Sequence, residues 1–269
     1  MKMNPPIRLV ALDLDGTLLR SDKTISARTL QTIQTAREQG VIVAIATGRM
    51  YSTARSYGKL LGLGDMPMVL YAGGLIQTVE TGRKLYEKTI SVEDAQTLLT
   101  IAKEKGWQMQ TYIDDVLRAA VSEHWIQEYE RKTGAHAVIC GEEFYHPQGP
   151  CNKILSRGSH EELLQRKAYI EEHMPGKLQV LFSEDTFLEI MPTQVDKGRG
   201  LQRLADLFGV PIEETMAAGD SQNDIDMLKA AGLSVAMENA HDEIKAAADC
   251  VTASNDADGV AQAIEKFVL

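Results

Sequence analysis

Two acidic segments combine closely spaced carboxylates with a glycine at the end of a short apolar run. The first is Asp13-Leu14-Asp15-Gly16-Thr17, which follows the apolar residues 7–12. The second is Gly219-Asp220-Ser221-Gln222-Asn223-Asp224, which follows residues 215–218. If the two segments meet, their carboxylates repel one another unless a cation is bound, and such all-oxygen ligands suit magnesium better than zinc. The two segments therefore indicate a magnesium site.

Asp13 and Asp15 are two residues apart at the end of the first apolar run. Their side chains point to one side of a sheet if the first strand extends that far. An Asp-Gly dipeptide is also an ordinary turn signal, which is the alternative interpretation. The second acidic segment also follows a short apolar run, and this repetition favours a catalytic role for Asp13 and Asp15 over a simple turn.

The surrounding pattern predicts that both segments lie at the same edge of a parallel sheet. Residues 7–12, 41–46 and 68–71 are apolar runs typical of buried strands, and helical patterns separate them. Residues 215–218 and 233–236 resume this alternation near the C-terminus. Strands that alternate with helices form parallel sheets covered on both faces, and ligands bind at the carboxyl ends of such strands. The sequence thus predicts a doubly wound, Rossmann-like α/β core.

Two further features fit a bound phosphate. Thr47-Gly48-Arg49 follows the second strand and precedes a helix, where a hydroxyl and backbone N–H groups can hold an anion. Helix capping by Thr47 is the alternative. Lys197, near the start of a predicted helix, occupies a position where the helix dipole disfavours a cation. A negatively charged partner would explain Lys197, whereas a solvated lysine is the alternative.

The middle of the chain has a different pattern of predicted strands and helices. Paired extended segments such as 108–112 and 116–121 predict antiparallel hairpins, and capped helical patterns such as 91–105 lie between the hairpins. An α+β module is therefore expected within the α/β core. The predicted domains are a core of residues 1–80 and 192–269 and an inserted module of residues 81–191.

Composition narrows the partners. The formal net charge of -10 and the pI near 5.1 argue against a nucleic-acid partner, because binding phosphodiester backbones takes a surplus of Lys and Arg. The three cysteines form no CxxC pair and the six histidines show no zinc-site spacing, so we expect a reducing compartment and no transition metal. With no apolar stretch long enough for a signal peptide or a spanning helix, we expect a cytoplasmic protein without a membrane partner. The sequence does not indicate an oligomeric state.

The chain resembles the haloacid dehalogenase superfamily, in particular its Cof-type (class IIB) sugar-phosphate phosphatases, in which an α+β cap is inserted into the core. The resemblance covers nearly the whole chain. Four motifs appear in the family's order, and they are Asp13-Leu14-Asp15-Gly16-Thr17-Leu18-Leu19, Ala46-Thr47-Gly48-Arg49, Asp196-Lys197-Gly198 and Gly219-Asp220-Ser221-Gln222-Asn223-Asp224.

The resemblance implies a magnesium-dependent phosphatase for small phosphorylated metabolites, especially sugar phosphates, with the cap selecting the substrate. Asp13 would be the nucleophile that forms an aspartyl-phosphate, and Asp15 would first protonate the leaving alcohol and then activate water. The implied phosphate-binding residues are Thr47, Gly48, Lys197 and Asn223. The implied magnesium ligands are the Asp13 carboxylate, the Asp15 main-chain carbonyl and Asp220, with Asp224 a further ligand or a support for the others.

One departure and three alternatives remain. Ala72 lies where family members commonly carry the asparagine of an Asn-Gly pair, so any carry-over of substrate contacts is open. A phosphomutase of the same fold would return phosphate to a sugar, and a phosphoryl-accepting receiver would switch conformation without turnover. A receiver needs no inserted module, and a binding protein with a vestigial site would not keep every motif position occupied.

Overall fold

The computed structural model describes residues 6–269, which form a mixed α/β structure. Within this range, none of the helices has the length and apolar character that crossing a membrane requires. The elements in chain order are β1 (Leu9–Leu12), α1 (Ala27–Glu38), β2 (Ile42–Ile45), α2 (Tyr51–Leu60), β3 (Pro67–Leu70), β4 (Leu75–Thr78), β5 (Lys84–Glu87), α3 (Val92–Lys105), β6 (Gln108–Ile113), β7 (Val116–Ala119), α4 (His124–Thr133), β8 (Ala137–Ile139), β9 (Lys153–Arg157), α5 (His160–His173), β10 (Leu178–Glu184), β11 (Phe187–Pro192), α6 (Lys197–Phe208), β12 (Thr215–Gly219), α7 (Ile225–Ala230), β13 (Leu233–Ala236), α8 (Asp242–Ala246), β14 (Cys250–Val251) and α9 (Gly259–Phe267).

The described chain divides into two compact units. The core unit comprises residues 6–49, 54–86 and 196–269, and the inserted unit comprises residues 50–53 and 87–195. That the core unit is catalytic and that the inserted unit is a cap that selects substrate remain predictions.

The main sheet of the core unit is parallel throughout. Its five strands lie in the order β14-β13-β12-β1-β2. Leu9 and Ala11 of β1 belong to an apolar cluster that also contains residues of α6 and α7. Val10 and Leu12, which strand alternation places on the opposite face, are fully buried as well. Both faces of the sheet are therefore covered, as a doubly wound fold requires.

The third predicted strand is present, but it does not extend the parallel ladder. β3 pairs antiparallel with β4, with Val69 opposite Ile76, and β5 completes a three-stranded sheet. A parallel bridge from Ala46 to Val69 links β3 to the end of β2. The chain reverses at Gly73 and Gly74, so β4 returns beside β3. The predicted parallel direction of the third strand is therefore present at its bridge to Ala46, whereas its antiparallel pairing with β4 was not predicted.

The inserted unit is built on a six-stranded sheet in the order β10-β11-β9-β6-β7-β8, and most of its strand pairs are antiparallel. Asp114 and Asp115 join β6 to β7 in left-handed backbone conformations, which places the turn of this hairpin where the sequence predicted it. Helix α3 begins after Ser91, whose side chain accepts a hydrogen bond from Asp94 N, and ends at Gly106. One face of the sheet packs against α3 and α5 through an apolar cluster that includes Leu99, Ile154, Leu163 and Leu188.

Candidate active site

The two acidic segments meet at the carboxyl edge of the parallel sheet. β1 and β12 run side by side with Leu12 opposite Ala218, so Asp13 and Asp220 follow neighbouring strand ends. Asp13 is only 4% exposed. Carboxylate oxygens of Asp13, Asp220 and Asp224 lie within 4.8 Å of one another. The strand order thus produces the predicted carboxylate cluster.

Lys197 connects two of these carboxylates. It is the first residue of α6 and is fully buried. Its Nζ donates hydrogen bonds to Asp13 Oδ1 at 2.6 Å and to Asp224 Oδ1 at 2.7 Å. Burial alone would lower the pKa of Lys197, but the two carboxylates raise it above its ordinary value. The unfavourable position of this cation at a helix start is therefore explained by charged partners.

Asp224 supports its neighbours with both oxygens. Oδ1 accepts from Lys197, and Oδ2 accepts from Asp220 N at 3.1 Å and from Ser221 N at 3.0 Å. Such a fully engaged carboxylate favours the supporting role for Asp224 over that of a direct metal ligand. By contrast, Oδ2 of Asp13 receives no hydrogen bond from any residue in the range 6–269.

The residues present fit a magnesium ion. Asp220 Oδ1 accepts from Thr17 Oγ1 at 2.8 Å, whereas its Oδ2, like that of Asp13, has no donor among the described residues. Gly16 has φ +80°, and a Cβ built on it would lie 2.3 Å from Asp220 Oδ2. The backbone after Asp15 therefore passes directly beside this carboxylate. Clustered carboxylate oxygens next to a backbone segment are the hard ligands that magnesium prefers.

Crowding changes the protonation of the cluster. Burial, together with repulsion from Asp224 and Asp220, raises the pKa of Asp13 well above its ordinary value, although Lys197 opposes this shift. Burial and the charge of Asp224 raise the pKa of Asp220 to about 6, against the hydrogen bond from Thr17. Both shifts mean that the cluster resists full ionisation until a cation compensates its charge.

The Asp15 carboxylate lies outside this cluster. β1 ends at Leu12, so strand alternation does not extend to Asp15. The expectation that the Asp13 and Asp15 side chains point to the same side depended on a longer strand and is not met. Arg49 holds Asp15 with Nε to Oδ2 at 2.6 Å and Nη2 to Oδ1 at 2.7 Å, and Lys23 Nζ donates to Oδ1 at 2.8 Å. Burial would raise the pKa of Asp15, but these bonds outweigh it and lower the pKa to about 2. Lys23 was not predicted, because it belongs to no motif and no informative spacing includes it.

Three of the four predicted phosphate-binding residues, Thr47, Gly48 and Asn223, lie in two neighbouring turns, and the fourth, Lys197, begins α6. Thr47 is buried, and its Oγ1 accepts from Arg49 N at 3.2 Å. A Cβ built on Gly48 would lie 3.8 Å from Asn223 Nδ2, so these two residues are neighbours. Asn223 Oδ1 accepts from Ser221 Oγ at 3.0 Å. The structure thus brings Gly48 and Asn223 together, and the role of these residues as phosphate ligands remains a prediction.

A family model of haloacid dehalogenase-like hydrolases matches residues 10–264, which include all four motifs. The chain belongs to this family. A putative phosphatase of Streptococcus pyogenes is 33% identical to the hydrolase, over 98% of this chain and 99% of its own. The 5-amino-6-(5-phospho-D-ribitylamino)uracil phosphatase YitU of Bacillus subtilis is 32% identical over 96% of this chain and 97% of its own. The resemblance to Cof-type class IIB phosphatases is confirmed.

Solved structures share the hydrolase fold. A haloacid dehalogenase-like hydrolase from Bacteroides thetaiotaomicron superposes with a TM-score of 0.90 and 32% identity, over 97% of this chain and 99% of its own. A subclass IIB sugar phosphatase, at 24% identity, superposes with a TM-score of 0.82 over 97% and 98% of the two chains. The α/β class and the inserted α+β module are therefore family features, and the hydrolase is an enzyme of the phosphatase type.

Ala72 adopts a backbone conformation for which the family's asparagine is better suited. Tyr71, Ala72 and Gly73 have φ values of 48°, 51° and 102°. Asparagine tolerates the left-handed region better than alanine does. Ala72 N donates to Thr47 O at 3.0 Å, and Tyr71 N donates to Arg49 O at 3.1 Å. In this hydrolase the segment therefore still fixes the loop of residues 47–49 through its backbone, which does not depend on the missing amide.

Proposed function

We propose that this hydrolase is a magnesium-dependent phosphatase that cleaves small phosphate monoesters, with sugar phosphates as the main substrate class, through an aspartyl-phosphate on Asp13. One observation carries the proposal. The buried Asp13 carboxylate has Oδ1 fixed by Lys197 and Oδ2 without a donor, beside the Asp220 carboxylate. One carboxylate oxygen is therefore held in place while the other is available.

In the first half-reaction, the Asp13 carboxylate attacks phosphorus, and the bond from phosphorus to the leaving oxygen breaks as Asp15 gives that oxygen a proton. In the second, water attacks the phosphorus of the aspartyl-phosphate as Asp15 accepts the water proton, and the bond from phosphorus to the Asp13 oxygen breaks, which releases phosphate and restores the carboxylate. Lys197 keeps Asp13 in place through both steps and offsets its charge. When bound, magnesium would offset charge on the phosphoryl oxygens.

Asp15 is an ionised carboxylate at neutral pH in the present arrangement, because its pKa is about 2. That state suits the second half-reaction, in which Asp15 accepts a proton. In the first half-reaction Asp15 must carry a proton, so Arg49 and Lys23 must then turn to another anion, such as the substrate phosphate.

The substrate class rests on the family resemblance and on the names of relatives. The Bacillus subtilis relative YcsE, 30% identical, is also named a 5-amino-6-(5-phospho-D-ribitylamino)uracil phosphatase, and a Serratia proteamaculans relative is named an HMP-PP phosphatase. These names describe small phosphorylated compounds, so we extend that class to this chain.

The direct test is inorganic phosphate release from a panel of compounds, with and without magnesium. The panel contains sugar phosphates, the phosphorylated ribitylaminouracil, HMP-PP and p-nitrophenyl phosphate. We expect release only with magnesium and the fastest release from a sugar phosphate. If none of the compounds releases phosphate with magnesium, the proposed phosphatase activity is refuted. A lasting acyl-phosphate without release would favour the receiver, and a requirement for a bisphosphate activator would favour the phosphomutase.

Replacing Asp15 with asparagine should separate the two half-reactions. Without a group that donates and then accepts a proton, kcat should fall by about 10²–10⁴-fold. Since p-nitrophenolate leaves without protonation, the aspartyl-phosphate should still form from p-nitrophenyl phosphate and then accumulate. Acid quenching after labelled substrate measures the protein-bound phosphate. Asp22→Asn, which changes an exposed carboxylate on the same loop, is the matched control; equal kcat in the two variants would remove Asp15 from the mechanism.

The effect of magnesium on stability should depend on pH. Because the pKa of Asp220 rises from its ordinary 3.8 to about 6 in the folded protein, the folded state binds the proton more tightly than the unfolded state. Without metal, this group's contribution to stability is present below pH 3.8 and is lost as pH rises through 6. Magnesium binds the ionised form, and at about 100 times its Kd a ligand stabilises by about 2.7 kcal/mol. We therefore expect the magnesium-induced rise in Tm to be larger at pH 7 than at pH 5.

Thermal unfolding of the wild type and of Asp220→Asn, with and without magnesium at both pH values, checks this expectation. The variant should lose most of the magnesium effect at pH 7. A magnesium-induced shift that is equal at pH 5 and pH 7 in the wild type would contradict it.

A further inference from the structure

Two backbone carbonyl groups of the catalytic loop, residues 13–19, accept hydrogen bonds from side chains outside the loop. Asn239 Nδ2 donates to Gly16 O at 2.8 Å. Asn255 Nδ2 donates to Leu19 O, also at 2.8 Å. Both asparagines are more than 200 residues away along the chain, so these contacts exist only because the fold brings them there.

The two asparagines are also linked to each other. Asn239 Oδ1 accepts a hydrogen bond from Asn255 N at 3.0 Å. Asn239 lies in the turn after β13, where Met237 N donates to Gly219 O at 3.1 Å. These hydrogen bonds thus connect Gly16, in the middle of the catalytic loop, with Leu19, its last residue. The backbone of residues 237–239 anchors them at the end of β12, the strand that leads to Asp220.

Asn255 belongs to a C-terminal turn, residues 254–258, whose two aspartates contact the continuation of the same loop. Asp256 accepts from Ser21 N at 2.9 Å and from Ser21 Oγ at 2.7 Å. Asp258 Oδ1 accepts from Arg20 Nη2 at 2.8 Å. Several neighbouring side chains of one turn are therefore directed at one short segment, which fixes the position of that segment.

The position of the loop affects both Asp13 and Asp220. Gly16 packs so closely on Asp220 that a Cβ there would lie 2.3 Å from Oδ2. A shift of Gly16 therefore changes the distance between the nucleophile and its neighbouring carboxylate. Misplacement of reacting groups by about 1 Å can cost about 10²-fold in rate.

We propose that Asn239 and Asn255 are positioning residues that hold the catalytic loop in register with Asp220 through both half-reactions. This inference rests on the proposed function, and neither asparagine contacts the reacting atoms. Asn239 is exposed and Asn255 is half-buried, so each bond adds little to global stability and its effect lies in the geometry of the loop.

The test compares Asn239→Ala and Asn255→Ala with Gln262→Ala. Gln262 Nε2 also donates to a backbone carbonyl at 2.8 Å, that of Ala257 in the same C-terminal turn, but it does not touch the catalytic loop. We expect each asparagine variant to lower kcat for p-nitrophenyl phosphate by about tenfold with KM changed less than about threefold. The loss of kcat in the double variant should be smaller than the product of the two single losses. The two asparagines are hydrogen-bonded to each other, so either substitution alone already disrupts their shared hold on the loop. Gln262→Ala should stay within about twofold of the wild type.

Hydrogen exchange followed by mass spectrometry supplies the second readout. Amides of residues 14–19 should exchange faster in both asparagine variants and at the wild-type rate in Gln262→Ala. If both asparagine variants match Gln262→Ala in kcat and in exchange, the proposal is overturned. It is also overturned if their loss of kcat tracks a loss of folded protein. If the wild type releases no phosphate, the proposed function fails, yet the exchange experiment still decides whether Asn239 and Asn255 hold the loop in place.

Discussion

Replacing Asp13 with asparagine is expected to lower kcat for phosphate release by on the order of 10⁴-fold or more, with no phosphate left on the protein after acid quenching. Asparagine keeps the shape of the side chain but cannot attack phosphorus as a carboxylate does. Lys197 loses one charged partner and keeps Asp224, to which it is bonded at 2.7 Å. The variant should therefore fold, and its defect should lie in chemistry.

Steady-state phosphate release and acid-quench labelling measure this effect, and circular dichroism confirms the fold. Asp206→Asn is the matched control, because Asp206 is an exposed carboxylate on α6 that accepts a hydrogen bond from Gln202. We expect the control to keep wild-type kcat. Turnover of Asp13→Asn at the wild-type rate would exclude Asp13 as the nucleophile.

The parallel core was predictable because its signals are local. Apolar runs of strand length and the alternation of strands with helices define β1, β2, β12 and β13 within a few residues. The antiparallel return of β4 onto β3 was missed, because it depends on a reversal at Gly73 and Gly74 that an apolar pattern does not encode.

The charged centre of the site was also predictable, whereas its supports were not. Asp13, Asp220 and Lys197 lie next to predicted strand ends or at a helix start, so topology alone brings them together. The direction of the Asp15 side chain depends on where β1 ends and on the contact with Lys23. Lys23 belongs to no motif, so this contact could not be predicted. Asn239 and Asn255 act through single amides on backbone carbonyls, and such contacts leave no spacing signal in one sequence.

Replacing Lys197 with methionine is expected to destabilise the metal-free protein by about 3–5 kcal/mol and to abolish turnover. Lys197 Nζ is fully buried between Asp13 and Asp224, and removing it leaves two buried carboxylates beside Asp220 without a cation. A methionine fills similar space, so lost charge compensation, not a cavity, dominates the change. Urea unfolding without metal measures the loss, and Lys229→Met, an exposed position on α7, should stay near wild type.

A second substitution distinguishes charge from packing. Adding Asp224→Asn to Lys197→Met removes one of the two uncompensated carboxylates and should restore part of the lost stability, but none of the activity, because Asp13 still lacks its cation. Magnesium should also narrow the gap between Lys197→Met and wild type, since it supplies positive charge to the same cluster. If Lys197→Met alone does not accumulate as folded protein, the double variant still provides the comparison. A double variant less stable than Lys197→Met would mean that Asp224 stabilises the fold through its bonds to Asp220 N and Ser221 N more than its buried charge opposes folding.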